Sequence, residues 1–192
     1  MRTSHKINKK IFLAVALIAL SGVAGAIVFT AFAVSHNTTS IENNIKVATN
    51  GVKIVENSVP GFGQKEVSFL NDGAESAPVL LRIAYSETWT NSDGTIVSNL
   101  SGNNNVVAKT WTTAFVNDFA DGGDGWYYYK KVLNPEASVQ VLSAIALSDS
   151  TYAKYNYDLA FRFESVQADA TAANTLWGKT ATIGNDGSVT WQ

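Results

Sequence analysis

The chain has no cysteine, three prolines, two histidines and one methionine among its 192 residues. Without cysteine there is no disulfide, no thiolate nucleophile and no Cys-ligated zinc or iron–sulfur centre. Charge of one sign is not in excess either: 14 Lys and Arg face 16 Asp and Glu. No basic surplus is left to neutralise a phosphate backbone, which speaks against nucleic acid as a partner. Histidine-based catalysis has only His5 and His36 to draw on, and H-E-x-x-H is absent. Fourteen glycines and three prolines are too few for a collagen-like or low-complexity chain, and 46% hydrophobic content is too high for a disordered one. What remains is one ordinary domain with a core, with or without a processed segment.

The N-terminus supplies that segment. Arg2, Lys6, Lys9 and Lys10 precede an unbroken apolar run from Ile11 to Leu20, then Ser21, Gly22 and a mostly apolar stretch to Ala33. A basic start, an apolar centre and small residues at the end predict a secretory signal over residues 1–33, read as a helix. Ala31-Phe32-Ala33 places small residues where a signal peptidase reads them, so cleavage is expected after Ala33, with Ala31 as the alternative. An uncleaved anchor is the competing reading, because 23 helical residues reach about 35 Å at about 1.5 Å each. Cleavage would remove four bases and no acid, leaving ten bases against sixteen acids and a net charge of −6. The expected location is secreted, in the extracellular matrix or at the cell surface.

Beyond residue 50 the pattern is that of strands. Residues 52–56 follow the turn dipeptide Asn50-Gly51, and residues 67–70 end at Asn71-Asp72-Gly73. Val79, Leu81, Ile83 and Tyr85 alternate with Leu80, Arg82 and Ala84, the period of two that marks a strand with one buried face. Further strands are expected at 126–133, 138–147, around Leu159, Phe161 and Phe163, and at 188–191. One short helix is expected near the C-terminus: Asp169 caps it, Ala170, Ala172 and Ala173 favour it, and Gly178 stops it. Leu176 and Trp177 would dock it on the sheet. Residues 91–105 are polar and read as a loop. Short strands broken by turns, without a βαβ rhythm, predict an all-β antiparallel sandwich over residues 51–192. Residues 34–50 read as a leader or a possible donor strand, with Ile41, Ile45 and Val47 on one face of an extended segment.

Four stretches of the chain resemble a known family. They are Phe29-Thr30-Ala31-Phe32 at the end of the signal; Gly51-Val52-Lys53-Ile54-Val55-Glu56; Val67-Ser68-Phe69-Leu70-Asn71-Asp72-Gly73 with Ala77-Pro78-Val79-Leu80-Leu81-Arg82-Ile83 and Trp89; and Gly125-Trp126-Tyr127-Tyr128-Tyr129-Lys130-Lys131-Val132-Leu133 with Pro135-Glu136, Val166-Gln167-Ala168 and Leu176-Trp177-Gly178. Together they resemble the secreted biofilm matrix proteins that depend on a SipW-type signal peptidase, a group including TasA, camelysin and the BsaA-like proteins, and most of all the BsaA-like branch. The resemblance implies a jelly-roll-like fold and assembly with other copies into extracellular fibres, alongside companion matrix proteins. Asn134-Pro135-Glu136-Ala137 departs from it, standing where the family has a Pro-Gly turn.

The physics of sheet edges agrees with such a role. An open edge carries unpaired N–H and C=O groups that a neighbour's strand can fill, and a head-to-tail contact of that kind propagates. Two other functions are weighed: a monomeric surface module for glycan or host protein, and a camelysin-like secreted protease. Asp118, Asp121 and Asp124, in a glycine-turned loop, are weak calcium candidates, with a solvated turn as the plainer reading. No catalytic or other cofactor residues are assigned. Trp126, Tyr127, Tyr128 and Tyr129 suit sugar stacking or packing, two facing inward and two outward. Lys53, Lys65 and Lys109 are weak candidates for a cross-link to an Asn beside a buried Glu, with no motif to support one. Asn37 and Asn99 stand in glycosylation tripeptides.

Overall fold

The computed structural model describes residues 29–35, 51–58, 62–98, 100 and 106–192. Two strands of twelve residues, β4 (Val79–Thr90) and β9 (Asn156–Gln167), pair antiparallel along their whole length, from Val79↔Gln167 to Thr90↔Asn156. Around them a five-stranded sheet runs in the order β1 (Phe29–Ser35), β9, β4, β7 (Tyr127–Tyr129), β6 (Phe119–Asp121). A four-stranded sheet runs β2 (Val52–Ser58), β3 (Gly63–Asn71), β8 (Ser138–Leu147), β5 (Val107–Trp111). A hairpin of β10 (Ala181–Ile183) and β11 (Val189–Trp191) and two helices, α1 (Thr113–Asp118) and α2 (Ala170–Trp177), complete the described chain together with a 3-10 turn at Ser150–Tyr152. The described residues are thus mainly antiparallel β, as the alternation predicts.

That alternation also sorts the side chains. Val79, Leu81, Ile83 and Trp89 from β4 and Leu159, Phe161 and Phe163 from β9 meet Val67, Phe69, Val139 and Val141 of the other sheet in one apolar cluster. Phe69 meets Phe161 and Phe163 edge-on, at ring-centroid distances of 6.4 and 5.7 Å. Each fully buried side chain of this size contributes about 1.5–3 kcal/mol, so this layer is the main source of stability. The opposite face of β4 and β9 carries Leu80 and Val166. There they pack with Tyr128, with Ala172, Ala173 and Trp177 of α2, and with Ala181 and Val189 of the hairpin.

Helix α2 starts and stops as its sequence requires. The Asp169 carboxylate accepts from the Ala172 N–H at 2.8 Å, and Gly178 takes the left-handed conformation (φ 65°) just past its end. Trp177 docks the helix on the sheet, but Leu176 does not: it is 38% exposed, because consecutive helical residues point about 100° apart.

Five short elements were not expected from sequence: β5, α1, β6, the 3-10 turn and β10. Helix α1 has β-branched residues and no buried apolar face of its own. It forms because Thr112 caps it, accepting from Phe115 N–H at 3.2 Å while donating to Gln140 O at 2.5 Å, and because Phe115 stacks on Trp111 at 4.6 Å. Tertiary packing here overrides propensity. The strand expected at 126–133 is regular only at Tyr127–Tyr129, and its later part makes single bridges, Lys131↔Ser188 and Val79↔Leu133.

The turn at residues 134–137 keeps the backbone a glycine would take. Glu136 sits at φ 62°, a conformation that costs a non-glycine residue about 1–2 kcal/mol. Asn71 holds it there. Asn71 donates from its backbone to Ala137 O (3.0 Å) and accepts from Glu136 N–H (2.7 Å), while its buried Nδ2 donates to Ala77 O and Leu133 O at 2.9 and 3.0 Å. Asn71 thereby ties two loops, at residues 72–78 and 133–137, to the end of β3.

Candidate functional site

Two features stand out as candidate sites: the flank of β9 that β1 covers in the larger sheet, and a cluster of cations and aromatic rings on that sheet's outer face. At the edge, β1 pairs with β9 over all seven residues, from Phe29↔Ser165 to Ser35↔Leu159. Ala31 and Ala33, assigned from sequence to the cleaved end of a targeting helix, stand in this strand opposite Phe163 and Phe161. Over residues 29–35 the backbone is therefore a strand, not the end of a helix. The physical reason is that the flank of β9 offers a row of backbone donors and acceptors that an extended segment satisfies. Residues 1–28, and with them the rest of the expected signal, lie outside the described residues, as do Ile41, Ile45, Val47, His36, Asn37 and Asn99. Among the described residues no helix is long and apolar enough to cross a membrane.

The outer-face cluster is built by alternation on β4, β7 and β9. Arg82 and Glu164 are directly opposite in the β4–β9 register. Both the Nε and the Nη2 of Arg82 donate to one Glu164 oxygen, at 3.0 and 2.6 Å, and Nη1 donates to the Tyr128 hydroxyl at 3.0 Å. The Arg82 guanidinium lies 4.4 Å from the Trp126 ring centroid and 4.8 Å from that of Trp177. A second guanidinium, that of Arg162, lies 4.5 Å from the same Trp126 ring. Lys179 adds a third cation, 5.5 Å from the Tyr128 ring. Stacking on indole suits Arg because it leaves the N–H edge free for hydrogen bonds. Burial pushes the Tyr128 hydroxyl up to about 12, helped by its bond to Asp124 and opposed by Arg82. For Asp124, burial raises its pKa but is outweighed. Bonds from the Tyr128 hydroxyl and the Trp126 N–H, with Lys179 nearby, hold its carboxyl below the usual range.

The four aromatics divide as the strand period requires. Tyr127 and Tyr129 join the inter-sheet layer, while Trp126 and Tyr128 join the outer cluster. The three aspartates considered for calcium are not drawn together around one point. Asp118 accepts from Lys131 at 2.8 Å, Asp121 caps the Gly123 N–H at 2.8 Å, and Asp124 serves Trp126 and Tyr128. Among the described residues no group of three or more acids and histidines is placed to hold a metal.

The three lysines considered for a cross-link face carboxylates, not Asn amides. Lys53 pairs with Asp72 in the open, Lys65 with Glu56 in partial burial, and Lys109 with Glu87 almost sealed from solvent, the last with side-chain exposures of 3% and 5%. Lys109 and Glu87 lie on different sheets, so this ion pair crosses the sandwich. Burial raises the Tyr157 hydroxyl far above its ordinary value, and the neighbouring Glu87 carboxylate adds to this.

Sequence reasoning did not single out the Arg82–Glu164 pair, Arg162 or Glu87–Lys109. A signal existed for some of them. Arg82 and Glu87 are the charged residues of the strand at 79–90, and Arg162 and Glu164 alternate with Leu159, Phe161 and Phe163. Partner identity was not available, since Arg82 and Glu164 are 82 residues apart. No family model, no curated protein and no solved structure matches the chain.

Proposed function

We propose that this chain is a secreted, non-enzymatic structural subunit of extracellular matrix fibres, joined head to tail by an N-terminal strand lent to a neighbour's sheet. The observation that carries this reading is the pairing of residues 29–35 with β9. It makes the β9 flank an acceptor for an antiparallel strand from the N-terminal region. Cleavage after Ala33 would take away the partners of Phe161–Ser165, by the register Phe29↔Ser165 to Ala33↔Phe161. A bare stretch of that length is unfavourable in isolation and is relieved by a strand from another copy. A contact made this way is heterologous and does not close on itself, so it extends into a filament. The same reading gives the two sheets a jelly-roll connection, takes a SipW-type peptidase as the processing enzyme, and places residues 34–50, with Ile41, Ile45 and Val47, as the donated segment. Companion matrix proteins would share the fibre.

The test uses the processed, secreted protein. Electron microscopy and analytical ultracentrifugation should show filaments that disappear when residues 34–50 are deleted. Processed wild-type protein that stays monomeric at high concentration would overturn the proposal.

A further inference from the structure

Arg82 and Arg162 share one indole but differ in what else they hold. The Arg82 guanidinium is spent: two bonds go to Glu164, one to Tyr128, and its faces meet Trp126 and Trp177. Arg162 is exposed, its guanidinium stacked on Trp126, and among the described residues no carboxylate lies within ion-pair distance of it. Stacking fixes the plane of a guanidinium while its N–H edge stays available, in the fork geometry that suits a carboxylate.

Beside Arg162 is a shallow depression of about 200 Å³, lined by Tyr85, Ser86, Ala160, Phe161 and Arg162. It spans two consecutive rungs of the β4–β9 ladder, Tyr85↔Phe161 and Ser86↔Ala160. A hydroxyl at Ser86 and a methyl at Ala160 give it one polar and one apolar side. Among the described residues no acidic one lines it, although the chain as a whole is acidic.

We propose that this depression binds a single uronic acid residue of an acidic polysaccharide. The Arg162 fork takes the sugar carboxylate, Ser86 bonds a ring hydroxyl, and the carbon face of the ring rests near Ala160. The size of the depression suits one sugar ring. The combination of one cation, one hydroxyl and one methyl matches a pyranose carboxylate better than a bare phosphate, for which Ala160 offers nothing. The site lies on the outer face of the sheet, and the inference stands whether or not copies of the chain polymerise.

The experiment is titration calorimetry of the full chain with trigalacturonate, its methyl ester and an acidic peptide of equal charge. Trigalacturonate should bind, and the neutral ester should bind at least about tenfold more weakly. Arg162→Ala should weaken trigalacturonate by about tenfold, and Arg162→Lys should restore only part, because an ammonium cannot fork. Ala160→Leu keeps Arg162 and fills the depression, so it should abolish binding while circular dichroism stays that of the parent. Absence of trigalacturonate binding, binding indifferent to both Arg162→Ala and Ala160→Leu, or equal binding of the acidic peptide would each overturn the assignment.

Discussion

Glu87 and Arg82 belong to the same strand and meet opposite fates. Glu87 points into the space between the sheets, where it meets Lys109 with both side chains nearly sealed, at 5% and 3% exposure. Arg82 points outward to Glu164, at 12% and 14%, with aromatic rings around its guanidinium. The inner pair has lost most of its hydration; its ions meet at 2.8 Å, Lys109 makes a weaker bond to Val107 O at 3.4 Å, and Glu87 also has the Tyr157 hydroxyl beside it. Desolvating each ion costs several kcal/mol, which mutual attraction offsets only in part. The outer pair keeps some water, makes several hydrogen bonds and gains from stacking. A charge inside the sandwich thus serves mainly to fix which strands face each other. A charge on the covered outer face also stays close enough to solvent to take part in recognition.

The sharpest way to break this contrast is to remove one inner partner. Lys109→Met leaves the Glu87 carboxylate buried without its ammonium and should cost about 3–5 kcal/mol in urea denaturation. The double variant Glu87→Leu/Lys109→Met should recover most of that loss. A double variant as unstable as the single would mean that the pair supplies net stability. The outer pair should behave more mildly. Arg82→Met removes its bonds and ring contacts but leaves Glu164 near water, for a loss of about 1–3 kcal/mol.

The smallest expected effect is a pH response that separates the two faces. Tyr85, in the inner layer, is pushed up to about 12 by burial and by Tyr127 and the nearby acids, and Tyr128, outside, reaches about 12 by burial and Asp124. Both start from 10.0. Below that value both phenols are neutral, folded or unfolded, and their contribution to stability is complete. As pH rises from 10 towards 12 the unfolded chain ionises first, so that contribution is lost. Thermal unfolding should therefore fall in temperature across this window. In Arg82→Met the phenolate absorbance of Tyr128 should move to still higher pH, because Arg82 opposes its rise, while Tyr85 should not move.

The alternation in residues 79–85 and 159–163 was enough to locate the two central strands and sort their side chains between two faces, since a period of two leaves each side chain only one side to take. The single buried face expected for residues 79–85 was too few, because α2 and the hairpin cover the other face and bury Leu80 as well. The same rule split residues 126–129 into two inward and two outward side chains, and the structure alone put Tyr127 and Tyr129 inward. Asp169 and Gly178 were enough for α2, because capping is a local interaction. The features of the candidate site were much less legible. β5, β6 and β10 are three to five residues long, too short to show a period. Trp126 read as one of four similar aromatics, and nothing local to it announces two guanidiniums. The Asn71 side chain read as part of a turn, although its work is to bond carbonyls in two other segments.

Composition, alternation and caps by themselves determined an all-β, cysteine-free domain with its two principal strands and one C-terminal helix. Those features arise within a few residues of chain, where backbone geometry and side-chain spacing act directly. The tertiary structure alone decided that β9 takes residues 29–35 at its flank, that Glu87 meets Lys109 across the sandwich, and that Arg82 is spent while Arg162 is not. These depend on which distant strands become neighbours. That choice is made by the packing of the whole inter-sheet layer and not by any segment taken alone.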